Sequence, residues 1–182
     1  PVALSFRRLD DYLACPLRYR YLHLLGVDAI LPPDPRVNFG HAVHRAVAFA
    51  LERKMAGVSP TVDETMEVFR AAWRSAGHLS PEHEIARREQ GEAALRAFHE
   101  REIAAGPVPA AVEHPFRLPL GDVLLTGRID RVDEDAAGTM LVDYKTAEVD
   151  EEERAGQRAQ EDLQLSVYAL AWRAMTGRIP ER

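Results

Sequence analysis

At GPVPA (106–110) the hydrophobic period of the chain changes, and this switch constrains the fold more than any other feature. Upstream, apolar residues recur every three or four positions. Downstream come three short runs rich in Val, Leu and Ile, at 111–118, 123–132 and 139–145, separated by Gly-containing turns. Such runs predict three consecutive strands of a meander. Helical spacing returns from Glu161 to Met175, with Leu163, Val167, Leu170 and Ala171 on one face. Helices, then strands, then a helix predict an α/β layer structure with a mixed sheet of at least three strands. The 182 residues suffice for one domain with a real core. It divides into a mainly helical part (1–105) and a strand-and-helix part (106–182).

Four helical stretches precede the switch. Ser5 is expected to cap a helix through about Leu25, with Leu9, Tyr12 and Leu13 on an apolar face and Pro16 breaking or kinking it. PPDPR (32–36) reads as a loop, after which Asn38 is expected to cap a helix with Phe39, Val43, Val47 and Leu51 at helical spacing. Thr61 or Asp63 opens a third helix through Arg74. Ser80 followed by Pro81 opens a fourth through about Ala104.

Several classes are set aside at this stage. No apolar run approaches the ~20 residues that span a bilayer, and the start PVALSFRRLDDY is not that of a signal peptide. A single cysteine, Cys15, excludes an internal disulfide framework and makes a reducing cytoplasm the default. Beginning at Pro1 and stopping at GRIPER, the chain reads as a piece of a longer polypeptide. The net charge of −6 argues against a stand-alone nucleic-acid binder, whose affinity is built on phosphate neutralisation. It remains compatible with a carboxylate site that holds cations.

The chemistry concentrates in GRIDRVD (127–133) and LVDYKT (141–146). Asp130 ends one apolar strand, in the phase Leu124, Thr126, Arg128, Asp130 if the strand is regular. Asp143 ends the next, and Lys145, two residues on, shares its face in extended chain. If the strands pair, Asp130 joins them. Two carboxylates and an ammonium at a sheet edge suit a hard divalent cation such as Mg²⁺ or Mn²⁺, which takes oxygen ligands. Such an ion acidifies water and stabilises negative charge on a phosphate oxygen. Lys145 can orient or deprotonate the attacking water, or neutralise charge developing on phosphorus. A solvent-exposed hairpin with ordinary surface charges is the plain alternative.

GRIDRVD, a turn and LVDYKT resemble motifs II and III of the RecB-like branch of the PD-(D/E)XK nucleases. Three more stretches agree in order. LSFRRLDDYLACPLRYRYLHLLG resembles the N-terminal helix of that branch, FGHAVH its G-x-x-x-H element, and QLSVYALA (164–171) its Q-L-x-x-Y element. The resemblance runs from Ser5 to about Trp172. It implies a restriction-endonuclease-like core: a central mixed β-sheet flanked by helices, with an N-terminal helical part. It implies His44, Asp130 and Asp143 as metal ligands, the Tyr144 carbonyl as a fourth, and Lys145 as the catalytic lysine. Gln164 and Tyr168, one helical turn apart, are implied to position the substrate backbone or the lysine. It further implies a metal-dependent deoxyribonuclease that cuts DNA, single-stranded and fed by an attached or partner helicase, in recombination or repair.

Other residues carry two readings each. On spacing alone His44 is an ordinary helix histidine, and His41, three residues earlier, competes for its role. Glu113 in VEHPF is a substrate-site carboxylate or the ion-pair partner of Arg128 or Arg131. Arg131 and Asp133 read as a local ion pair that supports the site. Arg18 and Arg20, interleaved with Tyr19 and Tyr21, can grip single-stranded DNA, or the tyrosines pack on the next helix. Cys15 beside Pro16 sits where some RecB-like nucleases place an iron–sulfur ligand, but four thiolates are needed; a buried structural Cys is the expectation. The acidic run 148–162 reads as a solvated loop. A second reading of the whole chain is a catalytically dead nuclease fold serving as a DNA-binding scaffold, which would be expected to have lost Asp130, Asp143 or Lys145. A third is another metal hydrolase that acts on small phosphoesters.

Overall fold

The computed structural model describes residues 2–27, 33–146 and 162–181. In chain order the elements are β1 (Val2–Ser5), α1 (Phe6–Ala14), α2 (Pro16–Tyr19) running into a π-helical turn (Arg20–Leu24), α3 (Pro35–Met55) and α4 (Val62–Ala72). Then come α5 (Pro81–Phe98) with a π-helical turn (His99–Ala104), β2 (Ala111–Leu120), β3 (Val123–Asp135), β4 (Gly138–Val142) and α6 (Leu163–Thr176). The expected meander is present as β2, β3 and β4, paired antiparallel. Strand β1 adds a parallel partner and makes the sheet mixed.

The sheet is organised around β3. One edge of β3 pairs with β2 from Val123 to Val132, with a break at Asp130. The other edge is shared end to end: β1 takes residues Val123 to Thr126, and β4 takes Arg131 to Asp135. Residues 127–130, the GRID segment, fall between these two partners.

Two apolar clusters hold the layers. The helical one joins Phe39, Val43, Val47 and Leu51 of α3 to Met66 and Phe69 of α4 and Leu95 and Phe98 of α5. Val112 and Tyr144 pack against it from the sheet side. The other joins Phe116, Leu125, Ile129, Val132 and Leu141 of the sheet to Val167, Tyr168, Ala171 and Trp172 of α6. The sheet therefore has an α6 face and a helical face. Gly127 lies opposite Phe116 in the pairing, and a Cβ there would meet the ring at 2.7 Å, so the ring occupies the space of the missing side chain.

Several local expectations are corrected. The stretch from Ser5 to Leu25 is not one helix. Ser5 ends β1 and caps α1, its hydroxyl accepting the Arg8 N–H, and the chain breaks at extended Cys15 before Pro16. Leu9 packs under the sheet, but Tyr12 and Leu13 are exposed. Helix α3 begins at Pro35, capped by Asp34 rather than Asn38. Proline at the first helical position loses no bond the helix could use, so part of the expected PPDPR loop is helical. The Asn38 side chain instead donates to the Ala76 carbonyl at 3.2 Å. Thr61, not Asp63, caps α4, through a capping box with Glu64. Strand β4 ends at Val142, one residue before Asp143. The acidic run lies outside the described residues except for Asp162, which caps α6.

Candidate active site

A regular strand alternates its faces, so Ile129 and Arg131 should point the same way. They do not. Ile129 and Val132 both pack under α6, while Arg131 reaches the helical side, where it meets Glu102. The alternation slips at residue 130. Its partner strand slips at the same level: Ala111 packs with the α6 cluster and Val112 with the helical one, while His114 meets Trp172 of α6 edge-on. Between them Glu113 has φ 48°, a left-handed conformation that costs a non-glycine residue roughly 1–2 kcal/mol. The register would pair 113 with 130, but that pair alone is missing from an otherwise nearly unbroken ladder. The double kink turns both carboxylates toward α3. The expected regular phase thus holds as far as Asp130 and fails beyond it.

His44 on α3 meets them. Its Nδ1 lies 3.5 Å from Asp130 Oδ2. One ligand atom each from His44, Glu113 and Asp130 lie within 4.8 Å of one another, which a single cation can bridge. Gly40, one turn before His44, lets the end of the Asp-Tyr-Lys-Thr segment approach: a Cβ at 40 would stand 3.2 Å from Thr146 Oγ1. Asp130 Oδ2 also accepts the Tyr144 N–H at 2.8 Å. Burial pushes the Asp130 carboxyl up to about 6; Asp143 and Glu113 add to the rise, and His44 and the Tyr144 N–H oppose it.

A second cluster adjoins the first. One further step of the β3–β4 register places Asp143 opposite Asp130. Asp143 Oδ1 accepts from Gln164 Nε2 (2.8 Å) and Tyr168 Oη (3.2 Å), and Oδ2 stands 2.7 Å from Lys145 Nζ. Lys145 also donates to Gln164 Oε1 at 2.7 Å and lies 3.4 Å from Asp162 Oδ2. Burial acts against the ammonium, but Asp143 and Asp162 outweigh it and hold its pKa above the ordinary lysine value. Burial raises the Tyr168 phenol too, so it stays a neutral donor. The expected convergence of Asp143, Lys145, Gln164 and Tyr168 is therefore present, though the first two lie beyond the strand. Asp143 faces this cluster and is not in the three-residue group, whereas Glu113 is.

Behind both clusters lies an ionic anchor. Arg131 is 2% exposed. It donates to Asp133 Oδ1 at 2.7 Å, Glu102 Oε2 at 2.7 Å and the Tyr144 hydroxyl at 3.1 Å. The expected Arg131–Asp133 pair is present, and it is buried. Lys54 Nζ donates to the carbonyls of Glu102, Ile103 and Gly106 at 2.6–2.8 Å, closing the π-helical turn that presents Glu102. Lys54, Glu102 and Asp162 were not singled out from sequence. Only Asp162 had a visible signal, as an acidic residue directly before an apolar helical repeat.

The N-terminal candidates lie apart from the two clusters, while His41 and Glu113 are at the site. Arg18 binds Asp11 at 3.1 Å, which also accepts from His23, so Arg18 is committed to the N-terminal helices. Arg20 is exposed. Tyr19 packs edge-on against Tyr12, and Tyr21 is exposed. His41 lines a cleft beside His44 without joining the three-residue group. Glu113 pairs with Arg128 at 3.5 Å. Cys15 is exposed rather than buried, with Sγ 3.5 Å from the Arg18 N–H it caps.

The donor set suits a divalent cation: one imidazole nitrogen and two carboxylates, all three half-buried, with a further carboxylate and an ammonium adjacent. The model of the family described as the PD-(D/E)XK nuclease superfamily matches residues 3–182 of the chain. No curated protein and no solved structure matches. Among the described residues no helix is long and apolar enough to cross a membrane.

Proposed function

Since the chain belongs to the PD-(D/E)XK nuclease superfamily, we propose that it hydrolyses DNA phosphodiester bonds with the aid of Mg²⁺ or Mn²⁺. The observation that carries this reading is the meeting of His44, Glu113 and Asp130 around one point, with Asp143 and Lys145 beside it. His44, Glu113 and Asp130 would hold the ion, with Asp143 and the Tyr144 carbonyl completing the set. The imidazole, a softer donor, favours Mn²⁺ over Mg²⁺. When bound, the ion supplies an acidified water and positive charge against a phosphate oxygen.

The chain's own groups do the rest. Lys145, kept charged by Asp143 and Asp162, offers an ammonium to the phosphate oxygen on which charge accumulates. This reading prefers charge stabilisation by Lys145 to proton abstraction, because its pairing favours the protonated form. Gln164 fixes the rotamers of Lys145 and Asp143 at once, by accepting from one and donating to the other. Tyr168 donates to the same Asp143 oxygen and accepts from Gln164. The kink at Glu113 and Asp130 is local strain that sets two carboxylates on the α3 side of the sheet.

The RecB-like branch is supported by G-x-x-x-H and Q-L-x-x-Y, because Gly40, His44, Gln164 and Tyr168 all lie in or beside the two clusters. A single-stranded substrate delivered by an attached or partner helicase, in recombination or repair, fits a net charge of −6, since delivery substitutes effective concentration for intrinsic affinity. The test is cleavage of an end-labelled single-stranded oligonucleotide with Mn²⁺, with and without chelator. The expected result is metal-dependent cleavage that falls at least ~100-fold in Asp143→Ala and Lys145→Ala. Chelator-resistant cleavage, or full activity in Asp143→Ala, would overturn the reading. Binding without cleavage would assign the chain to the scaffold class instead.

A further inference from the structure

A cleft of ≈ 450 Å³ opens directly beside the three-residue group and shares His44 and Glu113 with it. Its walls come from one face of α3, from α4 and from the paired strands. His41, Arg45 and Phe49 follow one another at four-residue spacing along α3; Val68 of α4 and Arg128 of β3 close the other sides. The volume lies within the ~300–1,000 Å³ of small-ligand pockets. A cleft of this volume takes one small ligand and no duplex.

The chemistry of the walls is graded. Arg128, Arg45 and His41, all exposed, line the cleft together with His44 and Glu113 of the three-residue group. Arg128 reaches the site through its 3.5 Å pairing with Glu113, a long contact that leaves the guanidinium's other donors for an anion. Farther along α3 lies the half-buried ring of Phe49, against which the Arg53 guanidinium stands 6.0 Å from the centroid. Val68 and Ala48 supply apolar wall. Cationic groups beside the three-residue group and an aromatic ring farther along the same helix suit a phosphate with its base.

Resting on the nuclease reading, we infer that this cleft is a subsite for one unpaired nucleotide next to the scissile phosphate. Phe49 and Val68 contact the base, and Arg45 and Arg128 contact its phosphate. The contacts are to a π-face and to phosphate, so the subsite selects unpaired structure and not sequence. Entry requires the nucleotide to leave any helix, which makes single-stranded ends and loops the preferred substrates.

The test compares wild-type chain with Val68→Trp, which fills the cleft, and Arg45→Glu, which inverts charge at an exposed helix position. Substrates are an end-labelled oligo-dT and a blunt duplex, with Mn²⁺, and deoxythymidine monophosphate serves as competitor. Thermal melting checks each variant's fold, and Arg45→Glu decides the matter if Val68→Trp does not fold. Expected are cleavage of the single strand well above the duplex and a loss of roughly tenfold or more in kcat/KM in the folded variants. Inhibition by the mononucleotide should weaken to match, while inhibition by inorganic phosphate is retained in Val68→Trp. Variants that are folded and as active as wild type would overturn the subsite, as would equal cleavage of the duplex. A wild-type chain that cuts nothing would instead remove the nuclease reading itself.

Discussion

Replacing Arg131 by Met should be among the most damaging single changes in this domain, and its cost can be worked out from its partners. Arg131 is buried, and so is Asp133, which receives the Arg131 Nε–H at 2.7 Å and whose second oxygen has no hydrogen-bond partner among the described residues. Removing the guanidinium strands that carboxylate, and breaking a buried pair from one side costs about 3–5 kcal/mol. For a chain of this size that lowers Tm by roughly 6–20 °C. Removing both charges, in Arg131→Met with Asp133→Leu, takes away the stranded charge as well and should recover most of the loss. The same guanidinium holds the Tyr144 hydroxyl, and the Tyr144 N–H holds Asp130. The single variant should therefore also weaken Mn²⁺ binding by about 10–100-fold, as loss of an outer support typically does. Chemical denaturation of the four members of the cycle reads the stability part, and calorimetric titration of Mn²⁺ reads the rest. A single variant within about 1 kcal/mol of wild type, or a double variant no better than the single, would refute the reasoning.

Three further outcomes follow from the geometry. Burial raises the Asp130 carboxyl to about 6, so between pH ~4 and 6 the metal-free folded chain holds a proton that the unfolded chain has lost. The Asp130 contribution to the stability of the metal-free protein is fully present below pH ~4 and is lost as pH rises through 6, while Mn²⁺ affinity rises over the same interval; the difference in denaturation midpoint between wild type and Asp130→Asn, and titrations at several pH values, check both. Gln164→Ala removes the bridge between Lys145 and Asp143 without opening the core. It should leave Tm within a few degrees and lower kcat by ~10–100-fold, with KM little changed. Gly127→Ala drives a methyl into the Phe116 ring, 2.7 Å from the built Cβ, and should cost about 1–3 kcal/mol by denaturant titration.

Much of the site could be read from sequence because its carriers end apolar runs. Asp143 follows the end of β4, Asp130 closes the apolar part of β3, which runs on to Asp135, and a one-step extension of the β3–β4 register sets the two opposite each other. Gln164 and Tyr168 could be paired because a helix places residues four apart together. What escaped did so for physical reasons. Strand β1 is four residues long, and its last residue doubles as a helix cap, so the cap signal hid the strand. The kink at Glu113 and Asp130 has no periodic signature, because periodicity assumes a regular pleat. That kink turns Glu113 toward His44, a placement no spacing argument contains. Asp34 outcompeted Asn38 because Pro35 fixes the backbone for a first helical turn. Cys15 is exposed because the chain breaks there and its thiol caps the next short helix instead of packing.

Anomalous diffraction from crystals grown with Mn²⁺ tests the central claim most directly. The account requires a strong peak bounded by the imidazole of His44 and the carboxylates of Glu113 and Asp130, with Asp143 and Lys145 adjoining. A fully occupied ion bound elsewhere, with those three side chains still free, would contradict it.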